Sequence, residues 1–348
     1  MIYFLLAIFM VVWAIALCEE RILKYRLPLY IGLCVVLVSI ATFKEVGFDN
    51  DSENYEFSFM HYDDTYVMLG KEYSFYILSK FFRTFTDDVH IMFFIYAGTG
   101  IVLKMIAFTK LSKLYFLPVL IYLGNYYILH DLTQIRACLV SGLLLYVVIY
   151  ISEGKKRKAA LLLLIGCIFH YSTLAMFPLL LMGNKSLTNK QRLIWSLIVP
   201  AGFALCVLKI NLLTEIPIPY IGEKLAMYQE LSEKGVVGGT INVFNAVFVV
   251  TCLAYLYILY FYDTIIEHNK YLPIMIKMTG LSIGLFLVLS FLPVLAFRIS
   301  ELYGIVEIIV FSTIYYTIKP EWLAKSVVAI FGLALFCINV FYVQILHS

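Results

Sequence analysis

Apolar stretches of about 17–25 residues recur along nearly the whole chain, and no other feature restricts its fold as much. A helix rises 1.5 Å per residue, so a run of that length crosses a hydrocarbon layer ~30 Å thick. Within such a layer the backbone must bond to itself, which makes helices the expected spanning form. Composition agrees. Of 348 residues, 62% are hydrophobic and 14% charged, where a water-soluble domain carries roughly a quarter charged residues. The chain reads as an all-α polytopic membrane protein forming a single integral membrane domain over residues 1–348. It has no Gly-rich nucleotide loop and no basic surface for nucleic acid.

About twelve transmembrane segments are expected, near 2–17, 27–43, 89–109, 114–129, 135–151, 159–169, 171–182, 193–210, 241–262, 271–295, 301–318 and 326–346. Basic loops set their direction. Arg21, Lys24 and Arg26 form one group, Lys104, Lys110 and Lys113 a second, Lys155–Lys158 a third, and Lys185, Lys190 and Arg192 a fourth. All four face the cytoplasm if both termini lie outside. Residues 1–17 lack a basic leader and a small-residue cleavage site, so they read as the first span. Residues 159–182 admit two readings. As one span they would invert everything that follows; as two short segments meeting at His170 they keep the charge pattern. The second reading is preferred, and it makes His170 the floor of a cavity, because short broken segments at membrane depth must line protein or water. The seven cysteines show no paired spacing and read as small core residues.

Two stretches are outer loops. Residues 44–88 are rich in acids and aromatics, and Glu72–Phe85 within them is expected to lie as an amphipathic helix along the interface. Residues 211–240 contain Pro217, Pro219, an expected short helix around Glu223–Glu233, and a glycine-rich run at 235–239 that reads either as a mobile gate or as a plain connection.

Ionisable residues at membrane depth cost at least ~2.5–3.5 kcal/mol each, so they point to function by default. The loop-charge topology puts Asp49, Asp51, Glu72, Arg136, His170 and Arg298 at one membrane face, with Lys277 as an exception inside a span. Arg136 and Arg298 offer planar forks that match phosphate oxygens; the bland alternative pairs them with Asp131 and Glu301. His170 suits phosphate binding or proton transfer near neutral pH. Asp49, Asp51 and Glu72 are candidate bases, Asp51 first among them. Asp49-Asn50-Asp51 also has the spacing of a weak metal motif. Tyr126, Tyr127 and Tyr303 read as interfacial aromatics whose rings could stack on sugars.

The order of these pieces resembles the EpsG family, Wzy-type polymerases of bacterial exopolysaccharide, capsule and O-antigen. The resemblance rests on Asp51-Ser-Glu-Asn-Tyr55, on Glu72 followed by an aromatic-aliphatic helix, and on Ile135-Arg136 opening a span that ends in Gly154-Lys-Lys-Arg-Lys158. It continues in Phe169-His170-Tyr-Ser172 and in Arg298 with Tyr303. The chain departs from the family where Arg136 is followed by Ala-Cys rather than Gln and a small residue. The resemblance implies a GT-C-like membrane enzyme of the bacterial cytoplasmic membrane whose site faces outward. Donor and acceptor would both be undecaprenyl-pyrophosphate-linked oligosaccharides. Arg136, Arg298 and His170 would hold the pyrophosphate, Tyr55 and Tyr303 would contact substrate, and an acid would act as base. No cofactor is implied; a divalent metal is compatible but not required. A flippase and a chain-length regulator are the implied partners. The rival readings are a transporter of the same lipid-linked sugar and an integral acyltransferase with His170 as base.

Overall fold

A computed structural model of the chain describes residues 1–68, 72–208, 210 and 241–347. The expectations for the short helix and the gate within 211–240 lie outside the described residues. The fold is 77% helical, with no strands among the described residues. An isolated antiparallel bridge joins Asp49 to Leu346. Buried apolar side chains from Leu5 to Leu346 form one continuous core.

Among the described residues four helices are long and apolar enough to cross a membrane: His90–Leu111, Ile135–Ser152, Asn189–Val207 and Glu321–Tyr342. Shorter apolar helices accompany them, among them Ile2–Cys18, Arg26–Thr42, Tyr171–Leu181, Ala246–Tyr260 and Leu272–Val288. A 17-residue helix reaches roughly 26 Å at 1.5 Å per residue, close to the thickness required.

Several expected spans are broken. The run at 114–129 forms the helix Phe116–Gly124, stops at Asn125, and continues as π-helix over Tyr127–Thr133. The Asn339 side-chain amide donates to the Gly124 carbonyl at 2.9 Å and to Asn125 Oδ1 at 3.1 Å, so the break is hydrogen-bonded from a distant helix. Gly124 also packs so tightly on the Gly332 backbone that a Cβ would collide with it. The run at 271–295 ends at Val288, and a new helix opens with Pro293, a residue suited to a first turn because the N–H it lacks has no intrahelical partner there. The run at 301–318 divides into the helix Glu307–Ser312 and a 3-10 segment, Thr313–Thr317.

The chain does break at His170. The helix Lys156–Phe169 stops there, His170 is extended, and a 3-10 helix runs over Tyr171–Leu181. The two pieces fold against each other, with Gly166 lying on Thr173.

Hydrogen bonds sort the turns into two ends of the bundle. At one end Glu19 accepts from the Tyr115 amide, Lys325 pairs with Glu20, Asn269 donates to the Leu111 carbonyl, Asn184 donates to the Lys270 carbonyl, and Arg192 pairs with Asp263. The basic loops gather here. At the other end Lys44 reaches the Leu132 carbonyl, His90 Nε2 bonds the Lys44 carbonyl, and the His347 amide donates to the Phe48 carbonyl.

Two lysines sit differently from expectation. Lys104, counted among loop charges, lies inside the His90–Leu111 helix, fully enclosed and paired with Asp131 at 2.6 Å. Lys277, the exception within a span, reaches back to the Gly183 carbonyl at 2.7 Å, so its ammonium belongs to the basic end. The His90–Leu111 and Ile135–Ser152 helices come close through Gly100 and Gly142; a Cβ on Gly142 would stand 3.0 Å from the Gly100 carbonyl. Small residues of this kind let membrane helices approach closely.

Candidate active site

Glu72 is the hub. It precedes the helix Tyr73–Phe82 in an extended conformation, which aims its side chain into the bundle rather than along the helix. That helix buries Ser74, Phe75 and Ser79 and exposes Tyr73, Ile77 and Phe81, as an interface helix should. Arg136, in the first turn of Ile135–Ser152, donates from Nη1 to Glu72 Oε2. The His170 ring bonds Glu72 Oε1 through Nδ1 at 2.8 Å, and the Tyr171 amide donates to the same oxygen at 3.4 Å. The break at His170 is what frees that amide for a side-chain acceptor. Burial pushes the Glu72 carboxyl up, but the His170 hydrogen bond and the Arg136 charge outweigh it and bring the group down to about 2. Three residues distant in sequence, all expected at the site, are therefore joined.

The Arg136 guanidinium also lies 5.7 Å from the centre of the Tyr55 ring. Tyr55 is buried, and its hydroxyl is pushed up to about 12, mainly by burial, with Arg136 acting the other way. Behind it an aromatic stack continues through Phe75, Tyr96 and Phe169. Tyr55 thus supports the arginine from beneath. Arg136 Nε is buried and finds no hydrogen-bond partner among the described residues. A desolvated guanidinium N–H without an acceptor is costly, and an anionic oxygen would satisfy it.

Other candidates are placed differently. Asp49 does not join the cluster. It is enclosed with Lys44 at 2.5 Å, and its Oδ1 accepts from the Asp51 and Ser52 amides at 3.0 and 3.1 Å. It holds the start of the Ser52–Met60 helix, a structural duty outside the cluster. Asp51 is half-buried at the same helix start, and its charge is felt by Tyr55. Among the described residues no group of three or more His, Cys, Asp or Glu is arranged to hold a metal ion.

Tyr303, expected to touch substrate, is buried and donates its hydroxyl to the Ala175 carbonyl at 2.8 Å. It props the segment behind His170. Tyr126 and Tyr127 are likewise core residues, the latter bonded to the Leu37 carbonyl. Arg298 is exposed on the helix Pro293–Gly304 and makes no direct bond to the cluster among the described residues. It connects through Glu301, one turn on, which bonds Gln134 and His130 and feels both Arg298 and His170. From the sequence Glu301 stands out only as a counter-ion for Arg298, and Gln134 and His130 do not stand out at all. The available signal was that Gln134 and His130 share the stretch that ends in Arg136.

The pairing of Arg136 with Asp131 does not occur, because Asp131 is already engaged by Lys104 and the Cys138 thiol. All seven cysteines are free thiols. A groove of about 750 Å³ lies between Tyr3, Phe43, Phe48, Phe341 and His347, and no residue of the cluster lines it. The chemistry is placed by the charged groups, not by that groove.

A family model described as the EpsG family matches residues 28–348. No curated protein matches the chain, and no solved structure does.

Proposed function

The chain belongs to the EpsG family, a Wzy-type polysaccharide polymerase family, and from that premise we propose that it joins oligosaccharide repeat units carried on undecaprenyl pyrophosphate. The site lies at the outer face of the bacterial cytoplasmic membrane. The observation that carries this reading is the Glu72–Arg136–His170 cluster with the unpartnered Arg136 Nε at its centre. In this reaction the donor sugar leaves a lipid pyrophosphate, and negative charge grows on the bridging oxygen as the bond breaks. Fixed cations aimed at that oxygen stabilise the transition state more than the ground state. Arg136 offers the fork, and Glu72 and Tyr55 hold it in register. His170 adds a hydrogen bond, and Arg298 at the rim receives the outer phosphate. The donor is a growing glycan and the acceptor a single repeat unit, so no sugar nucleotide enters.

A transporter of the same lipid would need polar groups along a path through the bilayer. The retreat of Lys277 to the Gly183 carbonyl and the sealing of Lys104 against Asp131 weigh against such a path.

The test is a polymerisation assay with purified protein and lipid-pyrophosphate repeat units from the host strain, without nucleotide sugar. A ladder of products that vanishes in Arg136→Ala is the expected result. Well-folded protein that yields no ladder but moves the lipid-linked sugar across liposomes would replace this reading with transport.

A further inference from the structure

We infer that Glu301 is the carboxylate that takes the proton from the attacking sugar hydroxyl. This rests on the polymerase reading above and adds the one group that reading leaves without an owner. A pyrophosphate departs without needing a proton, but a sugar hydroxyl is a poor nucleophile unless a base removes its proton in the transition state.

The acids first considered for the task are committed elsewhere. Asp49 is sealed against Lys44 with neither partner's side chain exposed. Glu72 spends one oxygen on Arg136 and the other on His170 and the Tyr171 amide. Such a carboxylate is a weak base, in keeping with its value of about 2. Asp51 sits at the start of the Ser52–Met60 helix, beside Lys44 and Tyr55.

Glu301 is held differently. Its partners are the Gln134 side chain and His130, whose Nε2 lies 3.4 Å from Glu301 Oε2. Neither gives it the short cation contact that quenches Glu72. Arg298 and His170 act on it only through their fields, so it lies near two of the groups assigned to the pyrophosphate. Its side chain is 13% exposed, enough for a ligand atom to reach, while His130 behind it is completely enclosed. The helix that carries it is braced by the Tyr303–Ala175 hydrogen bond. His130 Nδ1 finds no partner among the described residues, so the ring is oriented by Glu301 and by the edge of Tyr126, its centroid 5.1 Å away.

In the step itself the acceptor oxygen bonds to the anomeric carbon. The bond from that carbon to the phosphate oxygen breaks, its electron pair leaving with the lipid pyrophosphate. The hydroxyl proton ends on a Glu301 oxygen.

The experiment compares variants of the full-length protein on lipid-linked repeat units. Glu301→Gln keeps the shape and the neighbours' hydrogen bonds, and its kcat should fall about 100-fold or more with KM little changed; Glu301→Asp should recover part of the loss. Glu301→Ala is assayed with sodium azide. Azide attacks the anomeric carbon without needing a base, so this variant should consume donor and release a glycosyl azide, whereas Arg136→Ala should not. Wild-type kcat in Glu301→Gln overturns the inference, and so does a folded Glu301→Ala that azide leaves inactive, since that marks a structural role. If Glu301→Ala does not fold, the Gln and Asp variants decide through kcat against KM. Wild-type protein that builds no polymer overturns the polymerase reading and this inference together; an active wild type with an active Glu301→Gln overturns this inference alone.

Discussion

Asp131 and Arg136 occupy one short stretch of chain, yet they belong to ion-pair networks of opposite kinds. Around Asp131 everything is closed. Lys104 and Asp131 are both 0% exposed, Lys104 also donates to the Cys138 carbonyl at 2.9 Å, and the Cys138 thiol donates to Asp131. That network ties the His90–Leu111 helix to the π-helical stretch before Arg136. Around Arg136 the charges remain reachable: Arg136 is 15% exposed, His170 10% and Glu72 5%. The arginine also keeps a buried N–H without a partner. The lesson is that a charge within an apolar bundle is not evidence of chemistry by itself. Asp131 Oδ2 also lacks a partner among the described residues, so access is what separates the working pair from the structural one.

The comparison breaks most visibly if the wrong network proves essential for stability. Lys104→Met should cost about 3–5 kcal/mol, because it strands Asp131 in the core. Thermal unfolding in detergent checks this, and the double variant Lys104→Met/Asp131→Leu should recover much of the loss. Next in size, Arg136→Ala should slow polymerisation about 100-fold to 1,000-fold while moving the unfolding temperature less than Lys104→Met does. Arg136→Lys should restore little of the rate, since an ammonium cannot reproduce the fork. Equal stability losses at Lys104 and Arg136 would erase the distinction between the networks. Arg298→Ala should lower kcat/KM about tenfold, ~1.4 kcal/mol, without a measurable change in unfolding temperature, as suits an exposed residue.

The smallest effect is a pH dependence. Glu72 titrates lower in the folded protein than its ordinary value of 4.5, near 2. Its stabilisation is therefore complete above pH 4.5 and is lost as pH falls from there toward 2. Glu72→Gln should flatten that part of the unfolding-temperature profile. A variant with the wild-type slope would show that the Arg136 and His170 contacts add nothing to stability.

Much of the cluster was legible because polar residues in apolar surroundings are conspicuous. Glu72, Arg136 and His170 stood out, and the break at His170 followed from segments too short to span. Asp49 stood out equally, and nothing local announces that Lys44 closes over it. Lys104 was taken for a loop charge because hydropathy marks where apolar runs fade, not where a helix ends. Glu301 hid behind proximity: one turn from Arg298, it looked like that residue's private counter-ion, and its bonds to Gln134 and His130 come from a distant part of the chain. The interruption at Asn125 was illegible for the same reason, since its hydrogen bonds are supplied by Asn339.

The wide spacing of these residues also sets when the site comes into being. A ribosome adds about 5–20 residues per second, so Glu72, Arg136, His170 and Glu301 enter the membrane as separate arrivals spread over roughly ten to fifty seconds. Glu72 waits first, without either counter-ion, and His170 and Glu301 follow only with later helices. Leu346 and His347 then close onto the loop that began the assembly, through the Asp49–Leu346 bridge and the bond from the His347 amide to the Phe48 carbonyl. A nascent chain stalled before residue 346 lacks that clasp, so the loop that carries Asp49 stays unfastened until the helix Glu321–Cys337 and the residues after it arrive.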